Sequence, residues 1–241
     1  MITTSLLIVS SLANSVEFTT ESPYAYPLEP LLASAAEPAT PMQSEGGISY
    51  SFAQVSYAQG ELGEEDLNTV GLDVSYEFGS MFYAGLGYAG SKADVLVLTT
   101  GGLIVPGELE TSTISLGAGV HFDPSESVSI FAQGSFLAQD ADVSASGFGS
   151  ASLYSADAFS IGAGVRFRPA DLFEGYAQFS TVSGDADFSA GFSADIDYTT
   201  ITVGSRLYFG SNLATNLAFS QTSVDEGDDQ DVLSIGLAYF F

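Results

Sequence analysis

Three arginines, one histidine and a few carboxylates are the residues of this chain whose types could do chemistry together: Arg166, Arg168 and Arg206 with Asp73, Glu77, Glu174 and His121. A guanidinium meets a carboxylate in a fixed fork, and an imidazole beside either can hold a proton near neutrality. His121 is the only histidine and cysteine is absent, which removes thiolate nucleophiles, disulfides and Cys-ligated metals. A general base needs a second group within hydrogen-bond reach, and the sequence supplies none beside His121, so no enzyme is expected. Gly117-Ala118-Gly119 and Gly162-Ala163-Gly164 begin like a nucleotide-binding glycine motif, but the third glycine is missing and no helical pattern follows.

A period of two positions these residues. Val70, Leu72, Val74, Tyr76 and Phe78 point one way, while Thr69, Gly71, Asp73, Ser75 and Glu77 point the other. The same apolar-against-polar alternation recurs through Phe82–Tyr88, Ile114–Phe122, Val128–Phe136, Phe159–Phe167, Phe173–Phe179, Ile201–Phe209 and Leu213–Phe219. It closes with Leu233, Ile235, Leu237, Tyr239 and Phe241 opposite Ser234, Gly236 and Ala238. Short turns at Gly79-Ser80, Asp123–Glu126, Pro169–Asp171 and Gly210-Ser211 alternate with longer segments at Ser91–Glu110, Gln139–Ala156, Ser183–Asp195 and Asp225–Asp229, which read as loops. A first strand at Ile48–Tyr57 has a blurred phase that a bulge would explain. The total is ten strands, or eight if one weak hairpin lies outside.

Composition selects among the sheets that could alternate in this way. The chain is 46% hydrophobic, yet it has no run approaching the roughly 18 apolar residues of a spanning helix. A soluble sandwich would usually carry Lys and Arg on its outward positions, and here those positions are almost uncharged. The expected fold is therefore all-β, a closed antiparallel up-and-down transmembrane β-barrel with lipid outside and small or polar residues within. Lys and Arg total 4 against 30 Asp and Glu, net −26, which repels nucleic-acid phosphates. That acidity fits divalent cations or basic partners, and equally a solubility adaptation to a salty habitat.

In such a barrel Arg166, Arg168 and Arg206 face the lumen near the periplasmic turns, level with Glu77, Glu174 and His121, with Asp73 one step further in. Buried charges need partners, so Arg166 and Arg206 are expected to pair with Glu77, Asp73 or Glu174. The paired glycines should make room for the lumenal rings of Tyr83, Phe131, Tyr176 and Tyr208. A lumen filled in this way is not an open porin, and a small gated conductance through the ionic cluster is the alternative. His121 at the periplasmic end could not meet an external substrate. The longer loops should display most of the acids outward. No cofactor is called for; hard oxygen ligands at Asp225, Glu226, Asp228 and Asp229 would admit weakly bound Ca²⁺ or Mg²⁺, against the plainer reading of a solvated acidic loop.

Residues 1–15 read as a signal peptide, with an apolar run Leu6–Leu12 before Ala13-Asn14-Ser15, although its basic start is missing and Ala33-Ser34-Ala35 offers a second cleavage site. Residues 16–47, with Pro23, Pro27, Pro30, Pro38 and Pro41 among acidic and small residues, read as a disordered acidic linker, leaving 48–241 as the barrel.

An internal hairpin echo supports the barrel: Ser115, Gly117, Gly119, Phe122, Pro124 and Gln133 return at constant offset as Ser160, Gly162, Gly164, Phe167, Pro169 and Gln178. Together with Val70–Gly79, Leu116–Phe122, Ile161–Phe167 and the ending Gly236–Phe241, the chain resembles the small outer-membrane β-barrel superfamily of OmpA/OmpX-type and opacity-protein-like surface antigens over residues 48–241. It departs from many of them in having ten expected strands in place of eight, a leader without Lys or Arg, and few basic loop residues. The resemblance implies an outer-membrane location. It also implies that Leu237, Tyr239 and Phe241 form the terminal signal read by the barrel-assembly machinery. The expected role is an integral barrel with acidic surface loops, structural or surface-interacting, and the alternative is a narrow gated channel for ions or small solutes. The expected partners are outer-membrane lipid, lipopolysaccharide and the assembly machinery, with the barrel itself a monomer.

Overall fold

The computed structural model describes residues 6–9, 48, 50–62, 65–99, 104–145, 147–210, 212–224 and 230–241. Ten strands form one closed ring: β2 (Phe52–Leu62), β3 (Glu65–Phe78), β4 (Phe82–Thr99), β5 (Ile104–Ser125), β6 (Val128–Ala145), β7 (Gly149–Ala170), β8 (Phe173–Phe188), β9 (Ser193–Tyr208), β10 (Leu213–Val224) and β11 (Gln230–Phe240). Each pairs antiparallel with its neighbours in sequence, and β11 returns to β2 from Val232↔Gly60 to Phe240↔Phe52. This is the ten-stranded up-and-down barrel expected from the sequence. A short strand β1 (Leu6–Val9) lies parallel to Leu96–Thr99 of β4 and takes no part in the ring. It falls within the stretch read as a leader; the cleavage sites and linker 16–47 lie outside the described residues.

Parity fixes which side chains face out. Val70, Leu72, Val74, Tyr76 and Phe78 are all exposed, and so are Leu233, Ile235, Leu237, Tyr239 and Phe241. Their neighbours Ser75, Ser234, Ala238 and Phe240 are buried in the lumen. The exterior is therefore a continuous apolar girdle, an arrangement that is stable only where the surrounding solvent is itself apolar.

Three expectations are corrected. The segments Ser91–Glu110, Gln139–Ala156 and Ser183–Asp195 are not long loops. β4 and β5 stay paired to Leu98↔Ile104, β6 and β7 to Ala145↔Gly149, and β8 and β9 to Asp187↔Ser193. Above the girdle the alternation continues with its meaning reversed, Lys92, Asp94, Asp140, Asp142, Asp185 and Asp187 facing out and Ala93, Val97, Ala141, Val143 and Ala186 facing in. Reading only the outward apolar row ends each strand too early. The first strand begins at Phe52, not Ile48, and no register irregularity interrupts its pairing with β3 or β11. Its blurred phase arises because Ile48, Tyr50 and Ser51 turn into the lumen. The register shifts lie elsewhere, at Phe122/Ser125, Ala141/Asp142 and Phe167/Ala170.

The lumen is packed by one device used three times. The Tyr83 ring on β4 lies across Gly119 of β5, and its hydroxyl donates to Gln133 Oε1 on β6 at 3.1 Å. Phe131 lies on Gly164 in the same way. Tyr176 lies across Gly204, and its hydroxyl donates to Asn216 Oδ1 at 3.0 Å. The absent side chain lets a ring lie flat against the wall, as the sequence led us to expect for Gly119 and Gly164. Gly204→Val should therefore lower the unfolding midpoint in detergent, by roughly the 1–3 kcal/mol of an overpacked core. Gly90→Ala, where a new Cβ would find its nearest neighbour, the Tyr88 hydroxyl, at 3.5 Å, should leave the midpoint unchanged. Heat-shifted gel mobility of both variants measures this, and equal midpoints would contradict it.

Candidate functional site

The basic residues of the lumen collect at its short-turn end because three neighbouring strands deliver them there. Glu174 of β8 is in direct register with Arg206 of β9, and Arg166 of β7 is in register with Tyr176, two residues from Glu174 on the same face. Both arginines and the glutamate are buried. Glu174 Oε1 accepts hydrogen bonds from Arg166 Nε at 2.8 Å and Nη2 at 2.5 Å, and Arg206 Nη1 stands 3.7 Å from the same oxygen. The Tyr208 hydroxyl donates to Oε2 at 2.8 Å. One carboxylate thus serves two guanidiniums and a phenol, which satisfies both of its oxygens.

Aromatic rings stand beside each of the three guanidiniums. Arg206 lies 5.4 Å from the Tyr176 ring centre and 5.9 Å from that of Phe52, and Arg166 lies 5.4 Å from that of Tyr50. Arg168 sits 4.2 Å over the Tyr208 ring and donates to the Asp171 carbonyl at 2.6 Å. Cation–π attraction grows as water is excluded, so these rings offset part of the desolvation of the arginines.

Glu77 meets His121 instead of an arginine. Its Oε1 is 3.4 Å from His121 Nε2, and Asp123 Oδ2 is 3.2 Å from Nδ1 on the other side of the ring. The carboxylates address opposite nitrogens, so the three groups do not converge on a common point where a metal could sit. Asp73 lies further up the wall, half-buried in register with Gln54 and Gly87, and is held by a polar interaction of its own. All seven residues expected in the lumenal cluster lie on inward positions, but only Arg166 and Arg206 meet Glu174 and only His121 meets Glu77, while Arg168 lies over Tyr208 and Asp73 stands apart from both groups. Leu237 and Tyr239 stand exposed on the girdle with Phe241. Asp225, Glu226, Asp228 and Asp229 lie outside the described residues.

Sequence reasoning missed two features. The first is Tyr50, whose ring is stacked on His121 at 4.0 Å and on Tyr83 at 4.5 Å. The second is an apolar seal at the long-hairpin end of the lumen, where Leu109, Leu137, Leu153, Val182 and Ile196 pack with Tyr154 and Tyr198. Its signal was present in the inward parity of the segments read as loops. Between seal and charges lies a hydroxyl layer, with Thr69–Ser91, Thr200–Thr222 and Thr202–Ser220 pairs at 2.7, 3.0 and 2.9 Å.

Outside the barrel, Asp157, Asp185 and Asp195 occupy one register level across β7, β8 and β9, all exposed. Lys92 is flanked by Glu108 at 3.0 Å and by Glu110. Hydrogen bonds from Lys92 hold the Glu110 carboxyl below its ordinary range, and those to Glu110 and Glu108 raise the Lys92 ammonium.

The family described as "Outer membrane protein beta-barrel domain" matches residues 30–241. No curated protein matches the sequence. Among solved structures the barrel is similar to the translocator domain of the autotransporter NalP from Neisseria meningitidis, at 12% identity and a TM-score of 0.51, covering 79% of this chain and 88% of that one. It is also similar to an outer membrane channel from Pseudomonas putida F1, at 8% identity, 86% and 97% coverage and a TM-score of 0.48. A further match is Ail of Yersinia pestis, at 14% identity, 78% and 96% coverage and a TM-score of 0.41. At these identities the likeness concerns the fold alone.

Removing the shared carboxylate should be costly. Glu174→Ala leaves two buried guanidiniums without it and is expected to lower stability by about 3–5 kcal/mol, as for other broken buried pairs. Glu110→Gln, on a fully exposed pair, should leave the unfolding curve where it was. Denaturant titration in detergent compares them, and an undiminished Glu174→Ala barrel would contradict the assignment.

Proposed function

The chain belongs to the outer-membrane β-barrel domain family and is placed in the bacterial outer membrane, and on that premise we propose that it is a closed barrel that presents its outer hairpins as a surface and neither conducts nor catalyses. The observation that carries this reading is the apolar seal. Leu137 is 0% exposed, Val182 and Ile196 are 1% exposed, and Leu109 and Leu153 join them across the lumen. A hydrated ion crossing this layer would have to shed water against side chains that return no hydrogen bond. At the other end Arg166 and Arg206 share the Glu174 carboxylate, and these side chains with the rings of Tyr50, Phe52 and Tyr176 beside them fill the lumen.

The hairpins then remain as the displayed part. Beyond the girdle they carry Asp140, Asp142, Asp157, Asp185, Asp187, Asp195 and Asp197 on exposed positions of paired strands. Like charges directly opposite on neighbouring strands destabilise a sheet unless something screens them. Outer-membrane lipid and lipopolysaccharide are the proposed surroundings, with Ca²⁺ or Mg²⁺ loosely bridging these carboxylates to lipid phosphates. Leu237, Tyr239 and Phe241, exposed on the closing strand, are the proposed signal to the barrel-assembly machinery. The barrel is proposed to act as a monomer.

Planar-bilayer recording tests the closed lumen. The wild-type barrel should give no steady single-channel steps, and opening the seal with Leu137→Gly together with Leu153→Gly should introduce them. Steady steps in the wild type that disappear in Arg166→Gln or Arg206→Gln would establish the narrow channel instead.

A further inference from the structure

The residues just before the first strand run into the barrel, away from the periplasm. Tyr50 is 1% exposed, Ile48 5% and Ser51 8%. The Tyr50 hydroxyl is 2.8 Å from Ser129 Oγ on β6, its backbone N–H donates to Glu77 Oε2 at 2.8 Å, and its carbonyl accepts from Ser75 Oγ at 3.0 Å. Ser51 Oγ accepts from the Glu77 N–H at 3.0 Å. The ring is sandwiched by Tyr83 and His121 and faces Arg166. β3, β4, β5, β6 and β7 all contribute to this seat, so Tyr50, which belongs to no strand, is held by five.

We propose that Ile48, Tyr50 and Ser51 form a strap that closes the periplasmic mouth of the lumen, with Tyr50 as its stopper, and that withdrawing it exposes the Ser129–Ser75 wall to the periplasm while the rest of the barrel stays intact. Two observations separate the strap from the barrel proper. It contributes no rung to the β2–β3 or β2–β11 ladders, which begin at Phe52. Its anchors are also side-chain contacts, which open individually at a lower cost than a ladder opens as a unit. The strap is independent of the surface role proposed above, because it shuts the end opposite the outer seal and can open without creating a through-path.

The chain has no cysteine, so a single introduced thiol is a clean reporter. Ser129→Cys and, separately, Ser75→Cys are placed in the full chain with Tyr50 and with Tyr50→Ala, and Ser180→Cys on β8 serves as the control. Each is folded into liposomes, checked for heat-shifted gel mobility, and exposed to a small neutral maleimide. The thiol at Ser129 or Ser75 should react roughly tenfold faster or more once Tyr50 is alanine, and the thiol at Ser180 at an unchanged rate. Equal rates at Ser129 and Ser75 in the two backgrounds would overturn the strap. So would an equal rise at all three positions, which would mean that the whole barrel had loosened.

Discussion

The pairing of β11 with β2 is the constraint on which the rest of this molecule depends. In hydrocarbon each unpaired backbone N–H or C=O costs several kcal/mol, so a sheet with an open edge cannot persist there. The run from Val232↔Gly60 to Phe240↔Phe52 removes both edges at once. Once the ring is closed, the parity of every strand is fixed relative to its neighbours, because a slip of one residue on any strand would put its lumenal set into lipid. The outward Leu, Ile, Val and Phe and the inward Ser, Thr and Gly follow from that single topological fact.

Closure also determines how the lumen must be filled. Ten strands enclose a space that side chains nearly occupy, and the chain occupies it in layers. Rings lie over Gly119, Gly164 and Gly204, arginines share Glu174 at the periplasmic end, hydroxyl pairs cross the middle, and leucines and valines close the outer end. The charges can be buried because the protein gathers three of its four basic residues there and gives them a carboxylate and aromatic faces. Many functions are grafted onto barrels of this kind, so what this one can do is set by its filling and not by its fold.

How much of this was legible in the sequence follows from what each signal measures. The strands inside the bilayer were legible because apolar-out alternation has no other economical reading at this composition. The lumenal positions of Arg166, Arg206, Glu174 and His121 came with the parity, and so did the role of Gly119 and Gly164. The particular pairings did not. Whether Glu77 would meet an arginine or His121 depends on strand tilt and stagger, which no single strand encodes. The outer hairpins were misread because the surroundings of the outward face change from lipid to water at about Tyr88, where the polarity of the pattern reverses although the strand continues. Tyr50 was hidden because its partners lie on five different strands, whose approach to one another no single stretch of sequence encodes.

Each of these layers presupposes that lipid touches one set of alternate residues and not the other. The most direct measurement places single cysteines at successive positions from Leu233 to Tyr239, labels them with a small fluorophore, and reads quenching by brominated lipid in folded proteoliposomes. Strong quenching at Leu233, Ile235, Leu237 and Tyr239, with little at Ser234, Gly236 and Ala238, is the predicted result. Quenching that shows no period of two along this strand would contradict the closed, lipid-facing barrel.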